Sequence, residues 1–199
     1  MNRLNLTAIS AALCMAISGA TFAADKAMTR PEFKAEKDKI EAKYKESKAA
    51  CKAMTGNAKD VCMEEAKGHE KVAKAELDAR YKPSPRHDND VRMAKAKADY
   101  NVAKEKCDDR TGNDKDVCKK EAKAHYETAK GNAKVADAKE KSVADSGTVQ
   151  TSKVAEAKAD ASKDRREAQY KVAKEKCDAM TGDAKDACVK NAKAKYGQS

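Results

Sequence analysis

The chain has 199 residues and a formal net charge of +10 at pH 7, with 38% charged and only 4% aromatic residues. Beyond residue 23 it contains one Leu, one Ile and one Phe, which excludes a single compact core of ordinary globular size. Ala, Lys and Glu favour helix because they lose little side-chain entropy there. We therefore expect an elongated all-α protein, with disorder of the long segments as the alternative.

Residues 1–23 have the pattern of a cleavable secretory signal peptide. Arg3 precedes an apolar stretch, and small residues, Thr21 and Ala23, occupy the −3 and −1 positions of a cleavage site. An uncleaved anchor is the weaker interpretation because the stretch is short and contains Ser and Thr. We expect cleavage after Ala23, a location in the periplasm or secretion beyond it, and no transmembrane span in the mature chain.

Three similar stretches each keep two cysteines around a Thr-Gly centre: CKAMTGNAKDVC at 51–62, CDDRTGNDKDVC at 107–118 and CDAMTGDAKDAC at 177–188. Cys14 leaves with the signal peptide, so six cysteines remain. An even number of cysteines in an exported chain indicates disulfides. The expected bridges are local: Cys51–Cys62, Cys107–Cys118 and Cys177–Cys188.

The centre of each repeat indicates a tight turn between two helices. Glycine can take the left-handed conformation that ends a helix, and the residue after it is a preferred helix N-cap. A bridge across such an αα-hairpin stabilises it by about 3 kcal/mol. The predicted turn and cap residues are Gly56 and Asn57, Gly112 and Asn113, and Gly182 and Asp183.

Aromatic and histidine residues recur at the same distance from the bridges. Seven residues separate a tyrosine from the first cysteine of each repeat, which is two helical turns or about 10 Å. We expect each tyrosine to pack against a residue of the opposite arm, as a rung that fills space where Ala cannot. The predicted rungs are Tyr44 with His69, Tyr100 with His125, and Tyr170 with Tyr196.

These features predict three tandem disulfide-stapled antiparallel αα-hairpins, paired like short coiled coils and joined by flexible linkers. Thr29 and Glu32 form a capping box that opens the first helix, and prolines near residue 83 end the first hairpin. The predicted boundaries are a signal peptide at 1–23, hairpins at 24–82, 89–130 and 152–199, and linkers at 83–88 and 131–151.

The sequence contains no pattern typical of a catalytic site. It has no Gly-x-Ser-x-Gly, no glycine-rich phosphate loop and no Cys-x-x-Cys. Zinc sites favour shorter cysteine spacing than ten intervening residues. We expect no enzyme activity, no metal and no cofactor, although a metal or thiol-stress buffer remains an alternative. The basic charge favours an anionic partner such as lipopolysaccharide, and nucleic acid is not expected in an exported compartment.

The stretches KADYNVAKEKCD and KVAEAKADASKDRREAQYKVAKEKCD resemble the helical stalk of TolA, and resemble exported Lys/Ala-rich, TolA-like envelope proteins of proteobacteria. This resemblance rests on composition and implies a role in the cell envelope, without assigning functional residues. The expected function is a structural or interaction element of the envelope. Its partner would be an envelope protein or an anionic surface, and a polyanion-binding module is the alternative.

Overall fold

The computed structural model describes residues 27–198, which form six α-helices with no strand in that range. The predicted signal peptide, its cleavage site and Cys14 lie outside these residues. A 3₁₀ turn, Cys107–Asp109, extends the third helix. The helices are α1 (Arg30–Cys51), α2 (Gly56–Tyr81), α3 (Pro85–Lys106), α4 (Gly112–Ser146), α5 (Thr151–Cys177) and α6 (Gly182–Tyr196). The predicted all-α, hairpin-based fold is confirmed.

The helices pack in chain order. Within the described residues, extensive contact is confined to consecutive pairs, from α1 against α2 through to α5 against α6. Each interior helix therefore has one neighbour on each side, and the chain runs up and down through a single layer. One end of the layer carries the three bridged turns, and we call it the stapled end. The other end carries the connections α2–α3 and α4–α5, and we call it the open end.

The start of α1 follows the sequence prediction. The Thr29 hydroxyl accepts a hydrogen bond from the Glu32 backbone N–H, and the Glu32 carboxylate accepts one from the Thr29 backbone N–H at 2.7 Å. Pro31 lies in the first turn, where its missing N–H costs nothing. The predicted capping box is therefore present.

The connection α2–α3 is shorter than predicted. The segment 83–88 was expected to be a linker, yet α3 begins at Pro85. Ser84 is its N-cap, and its hydroxyl accepts a hydrogen bond from the His87 backbone N–H at 3.2 Å. Because proline suits the first turn of a helix, the second proline of this segment starts α3 instead of delaying it.

The segment 131–151 was also predicted to be a linker, and this is wrong for most of its length. Helix α4 continues through Gly131 to Ser146, and Gly147, with φ +71°, is the residue that ends it. Gly131 is buried, and a Cβ there would lie 2.9 Å from the Cβ of Ala161 on α5. Glycine at 131 therefore permits close approach of two helices and does not terminate one.

A close glycine–alanine contact also joins α2 to α3. A Cβ on Gly68 would lie 2.8 Å from the Cβ of Ala98. Both open-end hairpins thus bring helices together over Gly–Ala contacts, which suits a chain poor in large aliphatic residues. Leu77 is the largest fully buried side chain, at 1% exposed. The three hairpins consequently form one continuous layer instead of modules on flexible linkers.

Candidate functional site

The three predicted disulfides are present at the stapled end. Their Cα–Cα distances are 5.6, 5.6 and 5.7 Å, as expected for bridges across two adjacent helices. The first cysteine of each pair is 0–1% exposed and the second is half-buried. All six cysteines of residues 27–198 are bonded, so within that range no thiolate is available to a metal or to redox chemistry while the bridges are intact. The bridged pairs are Cys51–Cys62, Cys107–Cys118 and Cys177–Cys188.

The glycine of each bridged turn takes the predicted left-handed conformation, with φ between +54° and +58° for Gly56, Gly112 and Gly182. The predicted caps do not form. Each following helix begins at the glycine itself, directly after an extended threonine. This places Asn57, Asn113 and Asp183 inside the first turn, two positions beyond the N-cap, where a capping side chain acts.

An ionic contact closes two of the three bridged turns. Asp108, directly after the first cysteine, lies 2.8 Å from Lys119 and 3.0 Å from Lys115. Hydrogen bonds from Lys119 and then Lys115 hold the pKa of Asp108 below its usual range. Asp178 occupies the equivalent position in the third turn and pairs with Lys185 at 2.8 Å, which likewise lowers the pKa of Asp178.

The first turn lacks this contact. Lys52 stands where the other turns have an aspartate, and Lys59 stands where they have the partner lysine. The disulfide is therefore common to all three turns, whereas the ionic contact is specific to the second and third.

The predicted rungs are only partly correct. His69 and His125 are exposed, while the rung tyrosines are half-buried. Tyr100 stacks on Tyr126, with ring centroids 5.2 Å apart, so the predicted pairing of Tyr100 with His125 is wrong. One residue corresponds to roughly 100° around a helix, and this turns Tyr126 toward α3 and its predecessor toward solvent.

The other two predicted rungs differ from each other. Tyr44 and His69 line one groove of about 270 Å³ between α1 and α2. In the third hairpin Tyr170 and Tyr196 are half-buried, and no ring contact joins them within residues 27–198. Sequence reasoning also missed Phe33 against Tyr81, whose ring centroids are 4.4 Å apart at the open end of the first hairpin.

Two lysines add a cationic component to the aromatic pair between α3 and α4. The Nζ atoms of Lys97 and Lys123 lie 4.8–5.5 Å from the ring centroids of Tyr100 and Tyr126. Cation–π contacts at exposed sites are worth about 0.5–1 kcal/mol. This cluster therefore helps to hold the second hairpin together below its disulfide.

Ion pairs between neighbouring helices recur at equivalent repeat positions. Lys106 of α3 pairs with Glu65 of α2 at 3.5 Å, and Lys176 of α5 pairs with Glu121 of α4 at 2.6 Å. Each of these lysines directly precedes a bridged cysteine, so the pairs connect separate hairpins near the stapled end. Further pairs that join neighbouring helices include Lys74–Glu41, Lys95–Glu76, Arg92–Glu140, Lys120–Glu175 and Lys134–Asp164.

Within the part of the chain that the structure describes, no three His, Cys, Asp or Glu side chains are grouped as a metal site. In the same part, no helix has both the length and the apolar character needed to cross a membrane. The arrangement offers binding surfaces, namely grooves between helices and charged exposed positions. Comparison of the chain with family models, curated proteins and solved structures finds no match.

Proposed function

We propose that this protein is an exported, non-catalytic structural or interaction element of the bacterial cell envelope. The observation that carries the proposal is the single layer of helices, stapled by three disulfides at one end and open to solvent on both faces. Layers in which each unit contacts only its neighbours present extended surfaces for partners, as helical repeat proteins do.

Export is supported by the disulfides and by residues 1–23. Structural disulfides persist in oxidising compartments, and the first 23 residues have the layout of a signal peptide. The resemblance of the helices to the stalk of TolA-like proteins favours the envelope as the location. The bridges stabilise a layer whose own apolar core is small.

Site-specific photo-crosslinking tests the proposal. A photoreactive amino acid is placed at Asn132 or at Lys120, which line grooves on different sides of α4. In intact cells that produce the full chain, we expect a discrete adduct from one site and not from the other. The purified oxidised protein, irradiated alone, provides the control for self-adducts. Identical adduct patterns from both sites, or none from either, would contradict an interaction role.

A second candidate, binding to an anionic surface, is favoured by the edge helix α6. Its lysines Lys190, Lys193 and Lys195 are exposed and have no ion pair within the described residues. Binding to vesicles of phosphatidylglycerol should then weaken steeply between low and physiological salt, since exposed charges are screened over about 8 Å there. Replacement of these three lysines by Gln should weaken the binding, and equal binding by both proteins would exclude this candidate.

A further inference from the structure

The helix pair α4/α5 carries two grooves on opposite sides of the layer. The basic groove is lined on α4 by Val135, Ala136 and Lys139 and on α5 by Lys158, Ala161 and Arg165, among others. The ion-paired groove is lined by another stripe of the same two helices, which includes Lys120, Lys123, Lys130 and Lys171. The two stripes do not overlap, so the same helix pair offers two surfaces for comparison.

In the ion-paired groove every lysine has a carboxylate partner. Lys123 and Lys130 share Glu127 at 2.8 Å each, and Lys171 lies 2.7 Å from Glu167. Lys120 pairs with Glu175 at 3.6 Å. Each lysine of this groove is therefore already engaged by a carboxylate of the protein itself.

The basic groove is different. Lys139, Lys158 and Arg165 have no ion pair among the described residues, and all three are exposed at its rim. Its one acidic lining residue, Glu140, is engaged by a fork of two hydrogen bonds from the Arg92 guanidinium of α3. Three cations thus surround a groove whose carboxylate already has a partner.

The shape and lining of the basic groove narrow the class of ligand. Its volume is about 550 Å³, within the range of small-molecule sites. Val135, Ala136 and Ala161 supply apolar surface beside the cations. Arginine and lysine together favour a phosphate, since the guanidinium can donate two parallel hydrogen bonds to it. A ligand that satisfies both parts has a phosphate group and an apolar chain.

We propose that the basic groove binds the phosphate headgroup of an anionic lipid, with Lys139, Lys158 and Arg165 on the phosphate and the first part of an acyl chain against Val135 and Ala136. The proposal rests on these contacts and does not depend on an envelope role. Its specificity lies in the contrast with the ion-paired groove, which has more lysines, each of them paired with a carboxylate.

Isothermal titration of the oxidised protein with dihexanoyl phosphatidic acid, below its micelle concentration, tests the proposal. We expect saturable binding to one site, weaker binding of inorganic phosphate, and none of dihexanoyl phosphatidylcholine. The phosphate arm separates a free-phosphate site from a lipid site. Phosphate binding as tight as lipid binding would overturn the assignment to a lipid.

Matched variants separate the groove from general charge. Replacing Lys139, Lys158 and Arg165 by Gln should weaken lipid binding at least tenfold. The control replaces Lys120, Lys130 and Lys171 of the ion-paired groove by Gln and removes the same charge. Because these lysines lie outside the basic groove, the affinity for the lipid should stay within about twofold of wild type. Circular dichroism confirms that both variants retain their helices.

A further variant, Ala136→Phe, keeps all three cations and obstructs the apolar part of the groove. It should weaken binding of the lipid and leave binding of inorganic phosphate unchanged. Equal losses in both triple variants, an unaffected Ala136→Phe variant, or the absence of saturable lipid binding would each overturn the proposal.

Discussion

The two ends of the helical layer are held by different chemistry. At the stapled end, three turns of similar sequence are each closed by a disulfide. At the open end, two unrelated connections, at 82–84 and 147–150, are held by a serine cap, a glycine C-cap and Gly–Ala contacts between helices. The three turns of the stapled end therefore repeat one sequence pattern, whereas each connection at the open end has its own sequence and its own contacts.

The second open-end hairpin, α4–α5, has longer helices than the first, α2–α3. The close contact Gly131–Ala161 lies seven residues further from the bridged cysteines, on each arm, than the contact Gly68–Ala98. Seven residues are about two helical turns, so both arms lengthen and keep the same faces together. The longer arms leave the bridged turns of the stapled end unchanged.

The largest expected effect comes from removing one staple. Replacing Cys107 and Cys118 together by Ala should lower the free energy of unfolding by up to about 3 kcal/mol, because the unfolded chain loses a constraint. Urea unfolding followed by circular dichroism measures it. Wild-type protein under reducing conditions should lose more than this variant. A loss near zero would mean that packing alone holds both ends.

Next in size is a change to the helix contact at the open end. Gly68→Ala would place a Cβ 2.8 Å from that of Ala98 and force α2 away from α3. Overpacking costs about 1–3 kcal/mol and helix propensity returns about 1 kcal/mol, so we expect a net loss of up to about 2 kcal/mol. Adding Ala98→Gly should recover the packing part of the loss in thermal unfolding. If the double variant is no more stable than Gly68→Ala alone, the short distance to Ala98 is not the cause of the stability loss.

A smaller effect is expected for Gly147→Ala, which forces a non-glycine residue to φ +71° at the end of α4. The strain costs about 1 kcal/mol. Hydrogen exchange should accelerate in the last turn of α4, where no bridge restrains it. Gly112→Ala carries similar strain at φ +54° but lies within a disulfide loop, so exchange near it should change less. If hydrogen exchange accelerates equally in both variants, the disulfide does not restrain the stapled end more than the open end is restrained.

The smallest effect concerns acid sensitivity at the stapled end. Because the folded pKa of Asp108 lies below its usual range, its carboxylate stabilises the fold above the ordinary carboxyl pKa of about 4, and this contribution is lost as pH falls through the folded value. Thermal unfolding between pH 6 and about pH 2 should show a steeper loss for wild type than for Asp108→Asn. In the first turn, Lys52→Asp should introduce the same dependence. Parallel profiles for wild type and Asp108→Asn would contradict the ionic contact.

The stapled end could be predicted from the sequence because its determinants are local. Each cysteine pair, its glycine and the direction of the chain lie within twelve residues, so spacing alone indicates the hairpin. The predicted caps lie two positions too late because a glycine at positive φ can begin a helix directly after threonine. The pairing of Tyr100 with His125 failed because helix rotation by one residue decides which side chain faces inward.

The open end could not be predicted because its determinants are distant in sequence. In the sequence, Gly131 looks like a glycine that ends a helix. It lies inside α4 because Ala161 of α5 packs closely against it. The pairing of Arg92 with Glu140 spans 48 residues and gives no sequence signal. The basic groove was missed for the same reason, since much of it lies in the segment interpreted as a linker.

The local pairing of the cysteines also bears on how the chain matures. Each bridge joins cysteines that are consecutive within residues 27–198 and 11 positions apart. Six cysteines allow 15 pairings, yet an oxidant that joins thiols in order of their arrival yields the native one. A chain entering an oxidising compartment with its N-terminus first would close each loop before the next cysteine appears. If the protein is exported in this way, we expect its folding to require an oxidase but no disulfide isomerase.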